Sequence, residues 1–521
     1  MKEKLFQSTL LVSLMTFLSR IMGFVRDIVI ARFFGAGVGA DVFFVAFKIP
    51  NFLRRLFAEG AFSQAFIPVL AEYRERGDKD LQSLIAATAG TLFGVLFFIT
   101  LIGVLAAPVI IMIFAPGFLD EPAKLDLAGQ LLAITFPYLL FVSLTALSGA
   151  ILNSFGKFAI PAFTPVFLNL SLIGAAIWLA PLLDEPIKAL ALGVFIGGLV
   201  QLLFQIPFLQ QIGSLPKPRW AWRDSGVQKI LTLMIPAMFG VSVAQINLLL
   251  DTLLASFLIT GSISWLYYSD RLVEFPLGVL GIALATVILP NLSKKHASAA
   301  GEAFSHTLDW GLRWVFLIGT PAMLGLLILA EPLLLSLFQY GEFTHHDAHQ
   351  ASLSLMAYSL GLLPFIFIKV LAPGYFARQD TKTPVKIGII AMVVNMGLNI
   401  ILMIYLAHAG LALATALSAM LNAFLLYRGL RKINVYQPHH GWLRFFVQLI
   451  IANGVLLTIL LYLTPDISAW QQASVWLRAQ WLAMLIGGSA FGYFVALRLS
   501  GIKLKALIKP ADSLYWDRGE P

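Results

Sequence analysis

The sequence contains no cysteine and has few charged residues. Of its 521 residues, only 12% are Asp, Glu, Lys or Arg, about half the roughly 25% found in soluble domains. The lack of cysteine excludes disulfides, thiolate metal sites and cysteine nucleophiles. The low charge, combined with 59% hydrophobic residues and a mean hydropathy of +0.85, excludes an ordinary soluble enzyme. Most of this chain must therefore lie in lipid.

Soluble domains and common catalytic motifs are missing as well. No segment of domain length is polar enough to fold in water, and the sequence has no Walker A motif, no H-E-x-x-H motif and no Ser/His/Asp grouping. Each of these motifs is a signature of one kind of nucleotide-dependent or catalytic chemistry. The sequence therefore disfavours a catalytic domain and ATP-driven transport by this chain alone.

Continuous apolar runs of about 20 residues or more recur along the whole chain, and only α-helices satisfy such runs in hydrocarbon. We therefore predict an all-α polytopic membrane protein with about fourteen transmembrane helices. The predicted ranges are 5–34, 38–70, 82–115, 126–154, 160–182, 187–212, 226–259, 262–293, 304–330, 348–376, 384–407, 409–432, 441–464 and 474–500.

Lys and Arg lie in every second loop, which predicts the orientation of the helices. The basic loops contain Arg74, Arg76, Lys79, Lys157, Lys217, Arg219, Arg223, Lys229, Lys294, Lys295, Arg378, Lys382, Lys386, Arg428, Arg431, Lys432, Lys503, Lys505 and Lys509. Because short basic loops remain in the cytoplasm, both termini are predicted to be cytoplasmic. The net charge of +9 largely reflects this asymmetry, so we predict no binding to nucleic acid.

Two pairs of similar segments indicate an internal repeat. The run Asn153–Lys157 resembles Arg378–Lys382, and Phe66–Leu70 resembles Val287–Asn291, in both cases about 220 residues apart. Six helices per repeat would give parallel halves around a central cavity. The predicted divisions are an N-terminal lobe at 1–220, a C-terminal lobe at 221–434, and a helix pair with a cytoplasmic tail at 435–521.

Charged residues inside the predicted helices are the most informative feature of the sequence. They occur in helices one, two and eight as Arg20, Arg26, Asp27, Asp41, Lys48, Arg54, Arg55, Glu59, Asp270, Arg271 and Glu274. A charge at the middle of a lipid-exposed helix costs about 2.5 to 3.5 kcal/mol. These side chains should therefore face protein or water rather than lipid.

Two interpretations of these charges remain open. Arg55 with Glu59, and Arg271 with Glu274, have the spacing for ion pairs within one helix. Arg20, Arg26 and Arg54, in contrast, have no carboxylate three or four residues away. Uncompensated guanidinium groups in a cavity would select anions and can bind two phosphate oxygens at once.

Further polar groups give weaker signals. Asp251, Asn395 and Asn399 could supply oxygens to Na⁺ or a proton site, and ordinary interhelical hydrogen bonding explains them equally well. Lys369 adds a positive group or extends toward the membrane surface. The Gly35–Gly39 segment is better explained as a hinge than as a phosphate loop, since no strand precedes it.

Several motifs resemble the MurJ (MviN) family of lipid II flippases, which belongs to the multidrug/oligosaccharidyl-lipid/polysaccharide (MOP) exporter superfamily. The matching segments are SRIMGFVRD at 19–27, FGAG at 34–37, Ala40-Asp41, FKIPNFLRRLFAEGAFS at 47–63, YSDRLVEFPLGV at 268–279 and ARQDTKTP at 377–384. The predicted fourteen-helix length agrees with the family along the whole chain.

The resemblance implies a bacterial inner-membrane transporter, not an enzyme, that moves the undecaprenyl-pyrophosphate-linked cell-wall precursor (lipid II) from the inner to the outer leaflet. Arg20, Arg26, Asp41 and Arg54, with Asp270, Arg271 and Glu274, match essential cavity residues of the family. Helices thirteen and fourteen would shape a groove for the polyprenyl tail. Asp251, Asn395 and Asn399 resemble a sodium site of some members, although that site is richer in carboxylate.

On this interpretation the candidate substrate-binding residues are Arg20, Arg26, Asp41, Arg54, Arg55, Glu59, Asp270, Arg271, Glu274 and Lys369. The partners would be lipid II, membrane lipids and cell-wall synthesis proteins. No cofactor is expected beyond Na⁺ or H⁺ coupling and the membrane potential. The alternatives are an ion-coupled drug exporter or another lipid-linked oligosaccharide exporter of the same superfamily, a non-transporting scaffold, and a membrane glycosyltransferase.

Overall fold

The structure is a computed structural model that describes residues 2–297 and 301–502. Within these ranges, the side chains of residues 2–10, 57–60, 239–244, 282, 283, 286 and 297 are excluded from the description. The candidate residue Glu59 therefore lies outside the described side chains. The basic tail residues Lys503, Lys505 and Lys509 also lie outside the described residues.

Every regular element in the described ranges is a helix, and no strand occurs there. The chain forms two compact units, the first extending to Ser264 and including Tyr340–Phe343, the second containing the remainder. The first eleven helices are α1 (Lys2–Phe34), α2 (Val38–Arg54), α3 (Ser63–Arg76), α4 (Asp78–Leu105), α5 (Ala107–Phe114), α6 (Pro122–Thr135), α7 (Tyr138–Ser154), α8 (Ala159–Phe163), α9 (Pro165–Gly174), α10 (Lys188–Gln211) and α11 (Ser225–Ala255).

The helices that follow begin with α12, which starts at Ser262 and continues into the second unit. They are α12 (Ser262–Pro276), α13 (Ile282–Ala297), α14 (Gly301–Trp314), α15 (Thr320–Ile328), α16 (Ala330–Leu337), α17 (His345–Leu360), α18 (Leu362–Phe376), α19 (Lys382–Lys432), α20 (Trp442–Leu463), α21 (Ile467–Gln472) and α22 (Val475–Leu499). Short 3₁₀-helices occupy Pro116–Asp120 and Ala180–Leu182.

Nine helices in the described part of the chain are long and apolar enough to cross a membrane. The all-helical membrane architecture predicted from the sequence is therefore confirmed. Helices α1, α2 and α12, which carry the intramembrane charges, are not among these nine. Helices α2 and α12 have 17 and 15 residues and are shorter than these spans.

Within the described residues, four π-helices interrupt the α-helical segments, at Arg55–Phe62, Ala175–Leu179, Leu277–Gly281 and Val315–Gly319. Such segments are rare and occur frequently at functional sites. The first directly follows Arg54, and the third begins three residues after Glu274. They start about 220 residues apart, which agrees with the offset of the predicted repeat.

Helix α19 consists of two helices joined at Ala407, whose backbone adopts φ 47° and ψ −130°. A Cβ atom on Gly410 would lie 2.2 Å from the carbonyl oxygen of Leu402, so the chain folds back on itself here. The predicted boundary between 384–407 and 409–432 coincides with this reversal. The long helix predicted at 82–115, in contrast, is broken at Ala106 between α4 and α5.

The packing within the first unit positions the charged helices. Helix α1 contacts α8 and α9, α2 contacts α6, and α11 contacts α3 and the π-helix Arg55–Phe62. A buried apolar cluster that includes Phe66, Ile85 and Ile151 lies among α3, α4 and α7. Because α11 packs on these elements, it belongs to the first compact unit, which extends to Ser264. The boundary at residue 220 between two repeated lobes stays a prediction.

Candidate functional site

Arg26 is buried and ion-paired, contrary to the sequence-based expectation that it lacked a nearby carboxylate. Its Nε and Nη2 atoms donate to Asp27 Oδ1 at 3.0 and 2.7 Å. Both residues are at least 90% buried. The expectation was wrong because the spacing rule considered only residues three or four apart. The long arginine side chain can bend so that its guanidinium group bonds the side chain of the adjacent residue. Arg26 therefore belongs to a compensated pair.

A third bond to Arg26 comes from another helix. The Arg26 Nη1 atom donates to Asn169 Oδ1 at 3.1 Å, and Asn169 lies on α9. This contact connects α1 to α9 through a neutral acceptor. An amide oxygen orients a guanidinium group without adding negative charge.

Arg54 and Arg55 also contact side-chain amides. Arg54 Nε donates to Asn51 Oδ1 at 2.8 Å, one turn earlier on α2. Arg55 Nη1 lies 3.5 Å from Gln245 Oε1 on α11, at the limit of hydrogen-bond distance. Both arginines are half-buried. The arginines at the end of α2 are therefore held by amide oxygens from two helices.

Arg20 differs from the other arginines of this group. Its side chain is exposed, and among the described side chains it has no hydrogen-bond or ion-pair partner. A guanidinium group stays charged at every physiological pH. Arg20 therefore presents a positive charge from α1, and its place in a substrate-binding cavity stays a prediction.

Asp41 binds the start of another helix. Its Oδ2 accepts a hydrogen bond from the Gly261 N–H at 2.7 Å, and its Oδ1 accepts from the N–H and hydroxyl of Ser264 at 2.9 and 2.6 Å. The residue is 1% exposed. Asp41 thus acts as an N-terminal cap for α12, supplied by α2.

The charged residues of α12 form a separate group in the second unit. Arg271 Nη1 donates to Glu274 Oε2 at 2.7 Å, which confirms the predicted pairing within the helix. Arg271 also lies 5.0 Å from the centre of the Tyr267 ring. Asp270 is half-buried beside this pair, and Lys369 on α18 is exposed. Lys369 Cγ approaches the Gly281 position of the π-helix Leu277–Gly281.

The predicted cation-site residues belong to two different units, Asp251 to the first and Asn395 and Asn399 to the second. Asn399 Nδ2 donates to Asn395 Oδ1 at 3.0 Å within α19, and both residues are buried. Asp251 is half-buried on α11 in the first unit. The described residues contain no group of three or more His, Asp or Glu side chains suited to a metal ion. The sodium assignment stays a prediction.

The Gly35–Gly39 segment is occupied by protein contacts. Gly35 has a φ of 60°, and a Cβ atom there would lie 2.5 Å from the Glu342 carbonyl oxygen. The Glu342 N–H donates to the Arg32 carbonyl at 2.9 Å. These close backbone contacts disfavour a phosphate loop at Gly35, and the hinge stays a prediction.

Sequence reasoning missed the three amides that contact the arginines, Asn51, Asn169 and Gln245. Asn169 has apolar residues on both sides, whereas Asn51 lies between Lys48 and Arg54, and Gln245 lies two residues before Asn247. Polar residues in such places are usually hydrogen-bonded across helices. That signal was available in the sequence, but it does not identify the partner.

The first unit therefore carries several permanently charged guanidinium groups on α1 and α2. Arg20 is exposed, and Arg54 and Arg55 are half-buried. Planar guanidinium groups bind phosphate oxygens through paired N–H donors. The arrangement is suited to an anionic group carried by a membrane-embedded molecule.

Comparisons with known proteins agree with this chemistry. The family model described as "Lipid II flippase MurJ" matches residues 30–479. The chain is 55% identical over 513 residues to a "Probable lipid II flippase MurJ" of Vibrio cholerae, which covers 97% of this chain and 98% of the relative.

Solved structures show the same fold. One described as "Lipid II flippase MurJ, inward closed conformation" has a TM-score of 0.79 at 27% identity, covering 94% of this chain and 98% of that one. An inward-facing multidrug resistance MATE transporter of the MOP superfamily has a TM-score of 0.68 at 13% identity, covering 80% and 95%. The latter similarity concerns the fold alone. The protein is therefore a multi-pass membrane transporter and belongs to the lipid II flippase MurJ family.

Proposed function

We propose that this protein is a lipid II flippase of the bacterial inner membrane. It moves the undecaprenyl-pyrophosphate-linked peptidoglycan precursor from the inner to the outer leaflet. The observation that carries the proposal is a set of permanently charged arginines on membrane helices α1 and α2, in a chain 55% identical to a probable lipid II flippase over nearly its full length. The function requires no catalytic chemistry, since no bond of the substrate is broken.

The arginines supply the binding step. Arg20, Arg54 and Arg55 attract the pyrophosphate through charge-assisted hydrogen bonds, and Arg26 holds α1 against α9 through Asn169. Asp270, Arg271, Glu274 and Lys369 serve as the second group of headgroup contacts, and Glu59 completes the first. Asp41 contributes by holding the start of α12. The polyprenyl tail remains in hydrocarbon, so only the headgroup needs a protected path.

Transport follows an alternating-access cycle. The headgroup binds from the cytoplasmic side, and it is released when the protein opens to the outside. Both termini are cytoplasmic in this scheme. Moving negative charge outward is favoured by an inside-negative membrane potential, at about 2.3 kcal/mol per charge per 100 mV. Na⁺ or H⁺ at Asp251, Asn395 and Asn399 provides a second source of coupling, and cell-wall synthesis proteins act as partners.

A cell-based experiment tests the proposal. The outer-leaflet accessibility of lipid II is measured in cells depleted of this protein and supplied with the wild type, Arg20→Ala or Arg498→Ala. Arg498 is the matched control, because it is an exposed arginine in the last turn of α22. We expect exposure of lipid II with the wild type and Arg498→Ala and its loss with Arg20→Ala.

One result would contradict the proposed function, and another would contradict the role of Arg20. Unchanged lipid II exposure after depletion, in a host shown to lack a second flippase, would reject the flippase function and favour a drug exporter or a scaffold. Normal exposure with Arg20→Ala would reject only the assignment of Arg20 to the pyrophosphate.

A further inference from the structure

Asn169 is a buried amide in the middle of the predicted fifth membrane helix. It is 6% exposed, and its neighbours Leu168 and Leu170 are apolar. A polar group in this environment must find hydrogen-bond partners, because an unsatisfied amide in an apolar environment costs several kcal/mol. Both ends of the Asn169 amide do so, and both partners lie on α1.

The two hydrogen bonds fix the orientation of this amide. Its oxygen accepts from Arg26 Nη1 at 3.1 Å, and its NH₂ group donates to the carbonyl oxygen of Ser19 at 3.2 Å. If the amide were flipped, its NH₂ group would face the N–H donor of Arg26 and its oxygen would face the carbonyl oxygen of Ser19, so that neither hydrogen bond could form. The network therefore permits one arrangement only.

These partners connect two of the three arginines of α1, Arg20 and Arg26. The Ser19 carbonyl belongs to the peptide group that joins Ser19 to Arg20, so Asn169 holds the backbone immediately before Arg20. The same amide holds the guanidinium of Arg26, two turns later on the helix. Asp27 holds that guanidinium as well, but only from α1 itself. Asn169 thus connects α9 both to the backbone before Arg20 and to the side chain of Arg26.

The neutral chemistry of Asn169 suits an anion-binding site. A carboxylate at this position would bind Arg26 more strongly, but it would also add a second negative charge beside Asp27. The local field would then disfavour an incoming pyrophosphate. An amide supplies the geometry without that penalty.

We infer that Asn169 is a positioning residue for pyrophosphate recognition, acting through Arg20 and Arg26 rather than by touching the substrate. The inference rests on the proposed function, since it specifies how the arginine site is held. Gly23 faces the amide from α1, where a Cβ atom would lie at an ordinary van der Waals distance of 3.7 Å from Asn169 Nδ2.

The test compares two lipids that have the same tail and differ in charge. The full chain is purified in lipid nanodiscs, and its affinities for undecaprenyl pyrophosphate and for undecaprenol are measured by native mass spectrometry. The ratio of the two affinities reports recognition of the pyrophosphate. A general loss of folded protein lowers binding of both lipids and leaves this ratio unchanged.

The variants are Asn169→Leu, Asn169→Asp and the control Asn453→Leu. Asn453 has the same 6% exposure, and its Nδ2 donates to the Leu449 carbonyl of its own helix at 2.8 Å. We expect the preference for undecaprenyl pyrophosphate to fall about tenfold in Asn169→Leu, which corresponds to about 1.4 kcal/mol. It should also fall in Asn169→Asp and stay within about twofold of the wild type in Asn453→Leu.

The outcomes separate this inference from the proposed function. A wild type with no preference for the pyrophosphate lipid would overturn both. A wild-type preference that Asn169→Leu retains would overturn the positioning role alone. If Asn169→Leu does not fold, Asn169→Asp decides, because its carboxylate keeps the bond to Arg26. A full wild-type preference in Asn169→Asp would then overturn the inference.

Discussion

The carboxylate of Asp41 accepts hydrogen bonds from both the N–H and the hydroxyl of Ser264, 223 residues further along the chain. With the bond from the Gly261 N–H, it satisfies the first turn of α12. Backbone N–H groups at a helix start have no partner within the helix. A carboxylate from α2 therefore replaces the local capping residue that α12 lacks.

Replacement of Asp41 should destabilise the protein. We expect Asp41→Ala to lower the free energy of unfolding by about 3 kcal/mol, because buried N–H groups at Gly261 and Ser264 lose their acceptor. Ser264→Ala is the control and should cost about 1 kcal/mol, since it removes only the hydroxyl. Unfolding by SDS in mixed micelles measures both values. Equal stability of Asp41→Ala and the wild type would show that the cap does not contribute.

Arg20 and Arg26 should differ in their effect on stability. Arg26→Ala leaves Asp27 buried without this partner, so we expect a loss of about 3 to 5 kcal/mol. Arg20→Ala removes an exposed side chain and should change stability by less than about 0.5 kcal/mol. Thermal unfolding of the two purified variants makes the comparison. Similar melting temperatures for both would contradict the burial described for the Arg26–Asp27 pair.

Asp309 should be one of the most sensitive positions of the second unit. It is 4% exposed and accepts from Arg313 Nε, Tyr436 Oη and Trp442 Nε1, each at 2.8 Å. We expect Asp309→Ala to cost about 3 to 5 kcal/mol, because Arg313 is left as a buried cation without its carboxylate. Tyr436→Phe, which removes one bond to a charged group, should cost about 1.5 to 3 kcal/mol.

The free energies of unfolding of these two variants are compared with that of the wild type in mixed micelles. A larger loss for Tyr436→Phe than for Asp309→Ala would show that packing of the tyrosine, rather than the carboxylate, holds the 433–441 segment before α20.

Asp380 should make stability depend on acid pH. Hydrogen bonds from the side chain and backbone of Thr383 lower the pKa of this carboxylate below its ordinary value of 3.8. Its stabilisation is therefore present above pH 3.8 and is lost as the pH falls through the lower folded-state pKa. We expect the difference in melting temperature between the wild type and Asp380→Asn to be constant from about pH 7 to 5 and to shrink in stronger acid. A difference that grows in acid would reverse the assigned direction.

Ala407 should be more stable as glycine. Its φ of 47° lies in a region that costs residues with a Cβ atom about 1 to 3 kcal/mol. We therefore expect Ala407→Gly to raise the free energy of unfolding by about 1 kcal/mol. The control Ala414→Gly lies in the helical part of α19 and should lower it by about 1 kcal/mol. A loss of stability in both variants would contradict strain at the reversal.

The membrane architecture could be predicted from the sequence because hydrocarbon leaves few choices. Apolar runs of sufficient length must be helical, and the division of α19 near Ala407 followed from run length alone. The break at Ala106 was not predicted, because Leu105 and Ala107 continue the apolar run without a polar signal. Pro108, which lies near the start of α5, was the available signal.

The positions of the charged residues were also predictable, but their partners on other helices were not. The Arg271–Glu274 pair follows from helical spacing, because both groups lie on one helix. The Arg26–Asn169 bond joins residues 143 positions apart, and nothing in a single sequence specifies which distant amide faces an arginine. Packing of α1 on α9 determines that contact.

The reversal at Ala407 has a practical consequence for labelling. The two parts of α19 meet without an intervening loop, so antibodies and proteases find almost no chain to recognise at this turn. An epitope tag inserted there would have to separate Gly410 from the Leu402 carbonyl that it touches. The turn at residues 183–187, between the 3₁₀-helix Ala180–Leu182 and α10, offers exposed Asp184 and Glu185 instead. A topology reporter placed at residues 183–187 would leave the paired helices intact.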